Sequence, residues 1–445
     1  MKAKFDFFSS NIYLLMIASI VVSCWAFNQP LIALGIFAVI ILIMGVTQKS
    51  LSGILPILGT TTFIFSDLST IESTANIIAI IGILLVIIVS GIIFTKKNQL
   101  KLKFSPLLVG FVLLFIASFL GGITTGTHFG SASWLIGTGI TLGILLIYFV
   151  LSNVVKTYTP VTFAKVFVII AIVMVSETWI FYFRQELMID SMIWKTIHLG
   201  WGIGNNVGLV LIFSIPFVLY VAMKSKYASV VYILLYFLTV ATVFAVMSRG
   251  SIIILAVCIV PMTLYAIRCA RRPMLMSIYF AVFLTISIIL AYSFLRDDLE
   301  TVINSLQNLG LSDRGRIALW KQALVDFNNS NIIFGAGFGF NSKLDASGTY
   351  INWYHNPYIQ MLSNLGALGL IAFLVHIGQR YYYMVKKRTK FSLAAFYGSI
   401  MSGLYGLIDV TYFIPCFLAP MLLVTLMMEL SINEANPISQ DELLI

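Results

Sequence analysis

Charge is scarce in this chain. Only 10% of its 445 residues are Asp, Glu, Lys or Arg, 60% are hydrophobic, and the mean hydropathy is +1.00. That shortage excludes a soluble fold, which needs a charged, hydrated surface. Cysteine is sparse too. Cys24, Cys258, Cys269 and Cys416 show no metal or redox spacing, so they read as small hydrophobes. Short alternating strands are missing, which excludes a transmembrane barrel. The first apolar run, Ile12 to Phe27, lacks a small-residue cleavage site and leads straight into a second run, so it is expected to stay as a span. No internal repeat is visible, which weighs against transporters built from two related halves. No stretch of soluble-domain size is left over. Residues 1–445 are therefore expected to form a single integral membrane domain.

What is present is apolar sequence in blocks. We read about fourteen spans, making the fold class an all-α polytopic membrane protein, since only helices satisfy their backbone in hydrocarbon at this length. They are 10–27, 30–46, 51–66, 75–95, 104–121, 132–152, 160–184, 205–223, 227–246, 250–267, 273–294, 357–377, 391–408 and 411–430. Cations sort by side. With both termini inside, inner loops collect Lys96, Lys97, Lys101, Lys103, Arg268, Arg271, Arg272, Arg380, Lys386, Lys387 and Arg388, among others. Short outer loops hold Arg184, Lys195 and Arg249, with Glu186, Asp190 and Asp409. The positive-inside rule then requires an even number of spans. The net charge of +10 is mostly this topology signal and meets anionic lipid head groups, not nucleic acid.

One polar island interrupts the pattern. Residues 295–355 fall between the eleventh and twelfth spans and are expected to face outward. Within them Ile317, Trp320, Leu324 and Phe327 recur at helical spacing, predicting a short amphipathic helix over 313–328 with Asp313 as N-cap. Such a helix either lies at the membrane interface, with Trp320 at head-group depth, or packs on the bundle. The run Gly335-Ala336-Gly337-Phe338-Gly339 has no strand–helix context for a nucleotide fingerprint. It marks a tight turn where backbone approaches something closely.

A few polar residues stand where chemistry is possible. Arg249 occupies a very short turn between two spans, as an anion site or as a cation snorkelling to head groups. Arg314 and Arg316 flank Gly315 at a helix start, a geometry suited to clamping a diphosphate or to pairing with Asp313. His355 precedes Asn356-Pro357-Tyr358 at the outer end of a span, placed for proton transfer or for bridging head groups. Glu177 is an acid inside a span, either functional or paired with Arg184. Asn205 and Asn206 open the eighth span, able to bond a sugar or to cap the helix. His128, His198 and His376 have weaker contexts and read as structural.

Together these pieces resemble the O-antigen ligase and polymerase superfamily, the Wzy/WaaL-type membrane glycosyltransferases. Ser248-Arg249-Gly250 is similar to that family's Ser-Arg-Gly at the outer end of a span. Arg316-Ile317-Ala318-Leu319-Trp320, followed by Gly335-Ala336-Gly337, resembles its Arg-x-x-x-Trp and Gly-x-Gly. His355-Asn356-Pro357-Tyr358, with Leu362 and Gly366, resembles its helix start, and Gly204-Asn205-Asn206 with Pro216 is a weaker element. The likeness covers roughly 200–430. One position departs: the family often has an acid where this chain has Asn364.

The resemblance implies a metal-independent, inverting transfer, without cofactor, on the outer face of a bacterial cytoplasmic membrane. The donor would be a glycan on undecaprenyl diphosphate. The acceptor would be another lipid-linked repeat in a polymerase, or a different carrier in a ligase. A chain-length regulator is a conceivable further partner. It implies His355 as base, with Arg249 and Arg316 stabilising the leaving diphosphate. Arg314, Asn206, Asn356, Tyr358, Trp320 and Glu177 complete the candidate set as substrate-binding residues. A polymerase is favoured on span number. A lipid-linked oligosaccharide flippase should instead show repeats and a charged central cavity. A peptidoglycan-type membrane glycosyltransferase would need an outer-face carboxylate as its key group, for which Asp409 is the candidate.

Overall fold

Long apolar runs leave the backbone no water to bond, so each folds on itself as a helix. The computed structural model describes residues 7–66, 74–124, 129–155, 159–200, 202–295, 315–340, 353–412 and 414–433. Its first helices are α1 (Asn11–Ala26), α2 (Pro30–Thr47), α3 (Ile54–Thr60), α4 (Thr74–Lys97) and α5 (Leu108–Thr124). Next come α6 (Ala132–Val154), α7 (Pro160–Phe183), the short α8 (Met188–Ile193), α9 (Gly204–Lys224) and α10 (Ser229–Ala245). The chain continues through α11 (Arg249–Arg268), α12 (Pro273–Leu295), α13 (Arg316–Asn328), α14 (Pro357–Lys387), α15 (Lys390–Gly406) and α16 (Pro415–Asn433). A two-residue hairpin, β1 (His198–Leu199) with β2 (Gly202–Ile203), precedes α9 and pairs His198 with Ile203.

A helix lies at or near every apolar segment, but not every one is a crossing. Among the described residues eight helices are long and apolar enough to cross a membrane. The expected third span is α3 followed by a 3₁₀ turn at Thr61–Ile64. Every residue of α3 is buried. A hydrocarbon layer needs about 20 helical residues, so α3 owes its apolarity to the protein core. At the other extreme, only 11% of the apolar window of α12 is buried, and this helix rests mainly on α10 and α11 among the described residues. The centre is α9, apolar on all sides and buried from Val207 to Met223, packed against α7, α10, α11, α15 and α16. Arg380, expected in an inner loop, is instead buried within α14. It donates to the Tyr412 hydroxyl at 2.6 Å and sits over that ring. His376, one turn away, is buried against Phe111.

The polar island and α14 lock together. α14 breaks at Gly366, whose φ is 65°. A break frees backbone groups that hydrocarbon cannot satisfy; here the glycine loop supplies the partners. Ala367 N–H donates to Ile332 and Leu368 N–H to Ile333, at 2.9 and 3.0 Å. In return Ala336 and Gly337 N–H donate to the carbonyls of Ser363 and Asn364, at 3.1 and 2.8 Å. The joint is so close that a Cβ on Gly335 would strike the Asn364 carbonyl and one on Gly366 would strike Ile333. The expected close backbone approach is therefore found, and its partner is a broken helix. Asn364 accepts from Gly339 N–H and donates to the Phe340 carbonyl, both at 3.0 Å. A carboxylate only accepts, so the amide fits this joint and an acid would not.

Candidate active site

Asp409 lies in the turn between α15 and α16 and is 6% exposed. Its Oδ1 accepts from His355 Nδ1 at 2.7 Å and from Val410 N–H at 2.8 Å. Its Oδ2 accepts from an Arg316 terminal nitrogen at 3.0 Å and from Asn205 Nδ2 at 2.8 Å. An ionised carboxylate offers about four lone-pair sites, and all are used. Asp409 thus holds its neighbours in place and keeps no lone pair for a substrate. A carboxylate only accepts, so His355 Nδ1 is the donor of the pair and Nε2 is the ring nitrogen left outside it. The imidazole side chain is 40% exposed, open to an incoming group.

The surroundings hold His355 in place. It adopts a left-handed backbone with φ 54°, which costs a non-glycine residue about 1–3 kcal/mol and persists only where neighbours enforce it. Tyr354 does so from the preceding position: its N–H donates to Gln360 at 2.7 Å and its carbonyl accepts from Trp320 Nε1 at 2.8 Å. The Tyr354 hydroxyl donates to Asp326 at 2.6 Å and to the Phe340 carbonyl at 3.0 Å. Burial, then the bond to Asp326 and its charge, push that hydroxyl well above the usual phenol range, so it stays a donor. On the other side Asn356 caps α14, accepting from Tyr358 and Ile359 N–H at 3.0 and 3.1 Å. Its amide also reaches the Leu407 carbonyl, two residues before Asp409, at 3.3 Å.

The Ser248-Arg249-Gly250 turn meets this corner by a second route. Arg249 is the first residue of α11 and half-buried, and Met247 just before the turn is also left-handed, at φ 51°. Buried Ser248 lies 3.5 Å from the Tyr405 hydroxyl, which donates to the Asn205 carbonyl at 3.3 Å. A Cβ on Gly250 would sit 2.6 Å from Ile408, the residue next to Asp409. The Ser-Arg-Gly turn is therefore packed on the same corner as His355 and Arg316.

The other expected residues divide. Arg314 and Asp313 lie outside the described residues; the helix predicted from 313 begins at Arg316, after left-handed Gly315. Trp320 and Asn356, expected at substrate, spend their polar groups on Tyr354, the α14 cap and Leu407. Tyr358 is half-buried against Phe373. Asn206 packs on Gly202, while its neighbour Asn205 holds Asp409. Glu177 is fully buried in α7. Arg184 turns to the Ala26 carbonyl and the Trp25 ring. His198 is exposed in the hairpin, and His128 lies outside the described residues. Sequence reasoning named Asp409 only for a different enzyme class and put Asn206, not Asn205, among the substrate-binding residues. The available signal was an acid pressed between two apolar segments.

Arg316 and His355 thus meet at Asp409, and the turn that carries Arg249 packs beside them. Residues 233–374 match the family model described as O-antigen ligase. This match supports the O-antigen ligase and polymerase superfamily that the sequence elements resemble. No curated protein matches the chain. The O-antigen ligase domain contains Ser248-Arg249-Gly250, the α13 segment, the glycine loop and His355-Asn356-Pro357-Tyr358. It ends before Asp409 and begins after Asn205. Two of the groups that build the corner therefore come from outside the matched O-antigen ligase domain.

Proposed function

We propose that this chain is a membrane glycosyltransferase that joins undecaprenyl-diphosphate-linked repeat units into a surface polysaccharide on the outer face of the bacterial cytoplasmic membrane. The family match supports a glycosyltransferase-like role in polysaccharide assembly. The observation that carries the finer reading is His355 held by a saturated Asp409 beside Arg316. The acceptor hydroxyl gives its proton to His355 Nε2 as its oxygen attacks the anomeric carbon. The bond from that carbon to the phosphate oxygen breaks, and the diphosphate departs with the electron pair. Asp409 stabilises the imidazolium so formed. Arg249 and Arg316 stabilise the negative charge that gathers on the leaving group in this reading, the interaction that is usually the largest in such steps.

The matched family's description favours a second reading, a ligase that passes the glycan to a different carrier. One experiment separates them. Purified protein is given lipid-linked repeats alone, then with a second acceptor. Products longer than one repeat from donor alone identify a polymerase, and transfer that needs the second acceptor identifies a ligase. Lipid flipping with no bond formed rejects both.

A further inference from the structure

The helix above the corner is amphipathic in the reverse of the usual sense. The face of α13 turned to the protein carries Gln322, Ala323 and Asp326, which are 8%, 0% and 3% exposed. The polar pair is satisfied there: Gln322 donates to Asp326 at 2.8 Å, and Asp326 accepts from Tyr354. The opposite face carries Ile317, Leu324 and Val325, about half exposed, with Lys321 among them. Successive steps of 100° place 317, 321, 324, 325 and 328 on one side. The glycine loop extends the same apolar surface with Ile332 and Ile333, 65% and 57% exposed. Trp320, the residue the sequence suggests as a membrane anchor, points inward to Tyr354.

We propose that this surface is immersed in the bilayer leaflet on the side of the Asp409 corner, with phospholipid as its occupant. Continuity supplies the reason. The carbonyls of Ile332 and Ile333 are bonded to α14, a helix long and apolar enough to cross a membrane. The neighbouring Phe334 carbonyl lies where a Cβ on Gly121 of α5 would be, at 2.5 Å. On α5 itself Phe119 and Ile123 are exposed. The loop patch thus borders the surface that membrane helices show to lipid. Lys321 is the one charge among the described residues of the exposed α13 face. Its flexible stem lets an ammonium reach lipid phosphates while the flanking apolar side chains stay below. Arg316 is the first residue of the same helix, so immersion of α13 sets its guanidinium at phosphate depth. That consequence rests on the proposed function; the immersion itself does not.

The test uses the full chain with its four cysteines replaced, reconstituted in phospholipid nanodiscs. Val325→Cys and Ile333→Cys, each carrying an environment-sensitive fluorophore, report two points of the patch. Emission at both sites should fall with acyl-chain-brominated phospholipid and resist aqueous iodide. Quenching by iodide alone would place the surface in water and overturn the proposal. So would insensitivity to both quenchers, which means a protein cover, or self-quenching that grows with copies per disc, which means a second chain. None of these readings requires turnover, so a failed glycosyl-transfer assay leaves the inference intact and a failed quenching pattern leaves the chemistry intact.

Discussion

At the scale of single residues, His355 and Asp409 act as one unit. General acid–base groups contribute about 10²–10⁴-fold, so His355→Ala is expected to reduce chain extension by at least about 100-fold with protein still in the membrane. Asp409→Asn keeps the shape but presents an amide N–H where His355 or Arg316 now finds an acceptor. Its turnover should drop about as far, and the double variant should be little worse than either single one, because members of a unit are not additive. Turnover on lipid-linked repeats measures all three. Independent, multiplying losses would refute the pairing. Arg249→Ala should also abolish extension; normal chain lengths in it and in His355→Ala would remove the mechanism. His355, Arg249 and Arg316 were legible in the sequence because each sits in a recognisable local pattern. The place of Asp409 in this unit was not, since a lone acid in a short turn has no pattern of its own, and three side-chain donors from separate segments, with the adjacent Val410 N–H, give it its meaning.

At the scale of elements, the joint between the glycine loop and the broken α14 bears the histidine. Gly366→Ala adds a methyl that meets the Ile333 carbonyl and imposes a side chain on a left-handed φ. We expect a loss of about 1–3 kcal/mol or more, read as a lower apparent midpoint of thermal unfolding in detergent. Tyr354→Phe is a milder probe. It leaves the ring but removes the donor to Asp326 and Phe340. Asp326 Oδ2 loses that donor while Oδ1 keeps Gln322, so the change should cost about 1 kcal/mol; an unchanged midpoint would show that water replaces the tyrosine. The helical periodicity of α13 was visible in the sequence, but which of its faces turns inward was left open. Apolar spacing says which residues share a side, and it does not say whether that side meets protein or lipid when both are apolar.

For the whole molecule, the charge asymmetry predicts both termini on one side and the 295–355 loop on the other. Single-cysteine labelling with a membrane-impermeant reagent at Lys387 and at exposed Asn329, in the cysteine-replaced chain, checks the crossing between them. Reaction of the two positions from the same side of intact cells or inverted vesicles would overturn the outward placement of the loop. Helices were legible throughout, because about 20 apolar residues leave one backbone solution in hydrocarbon. Crossings were less so: α3 matches a span in composition yet is buried throughout its seven residues.

Sequence alone determined the class of protein, the places where helices form, and three of the groups at the corner, since each follows from local composition or spacing. The tertiary structure decided what those groups are to one another. It closed α14 over the glycine loop, brought Asn205 and Asp409 from outside the matched O-antigen ligase domain to His355 and Arg316, and turned the polar side of α13 inward. The reason is physical. A hydrogen bond between residues 54 or 204 positions apart leaves no periodic trace in the chain, and only packing brings its partners together.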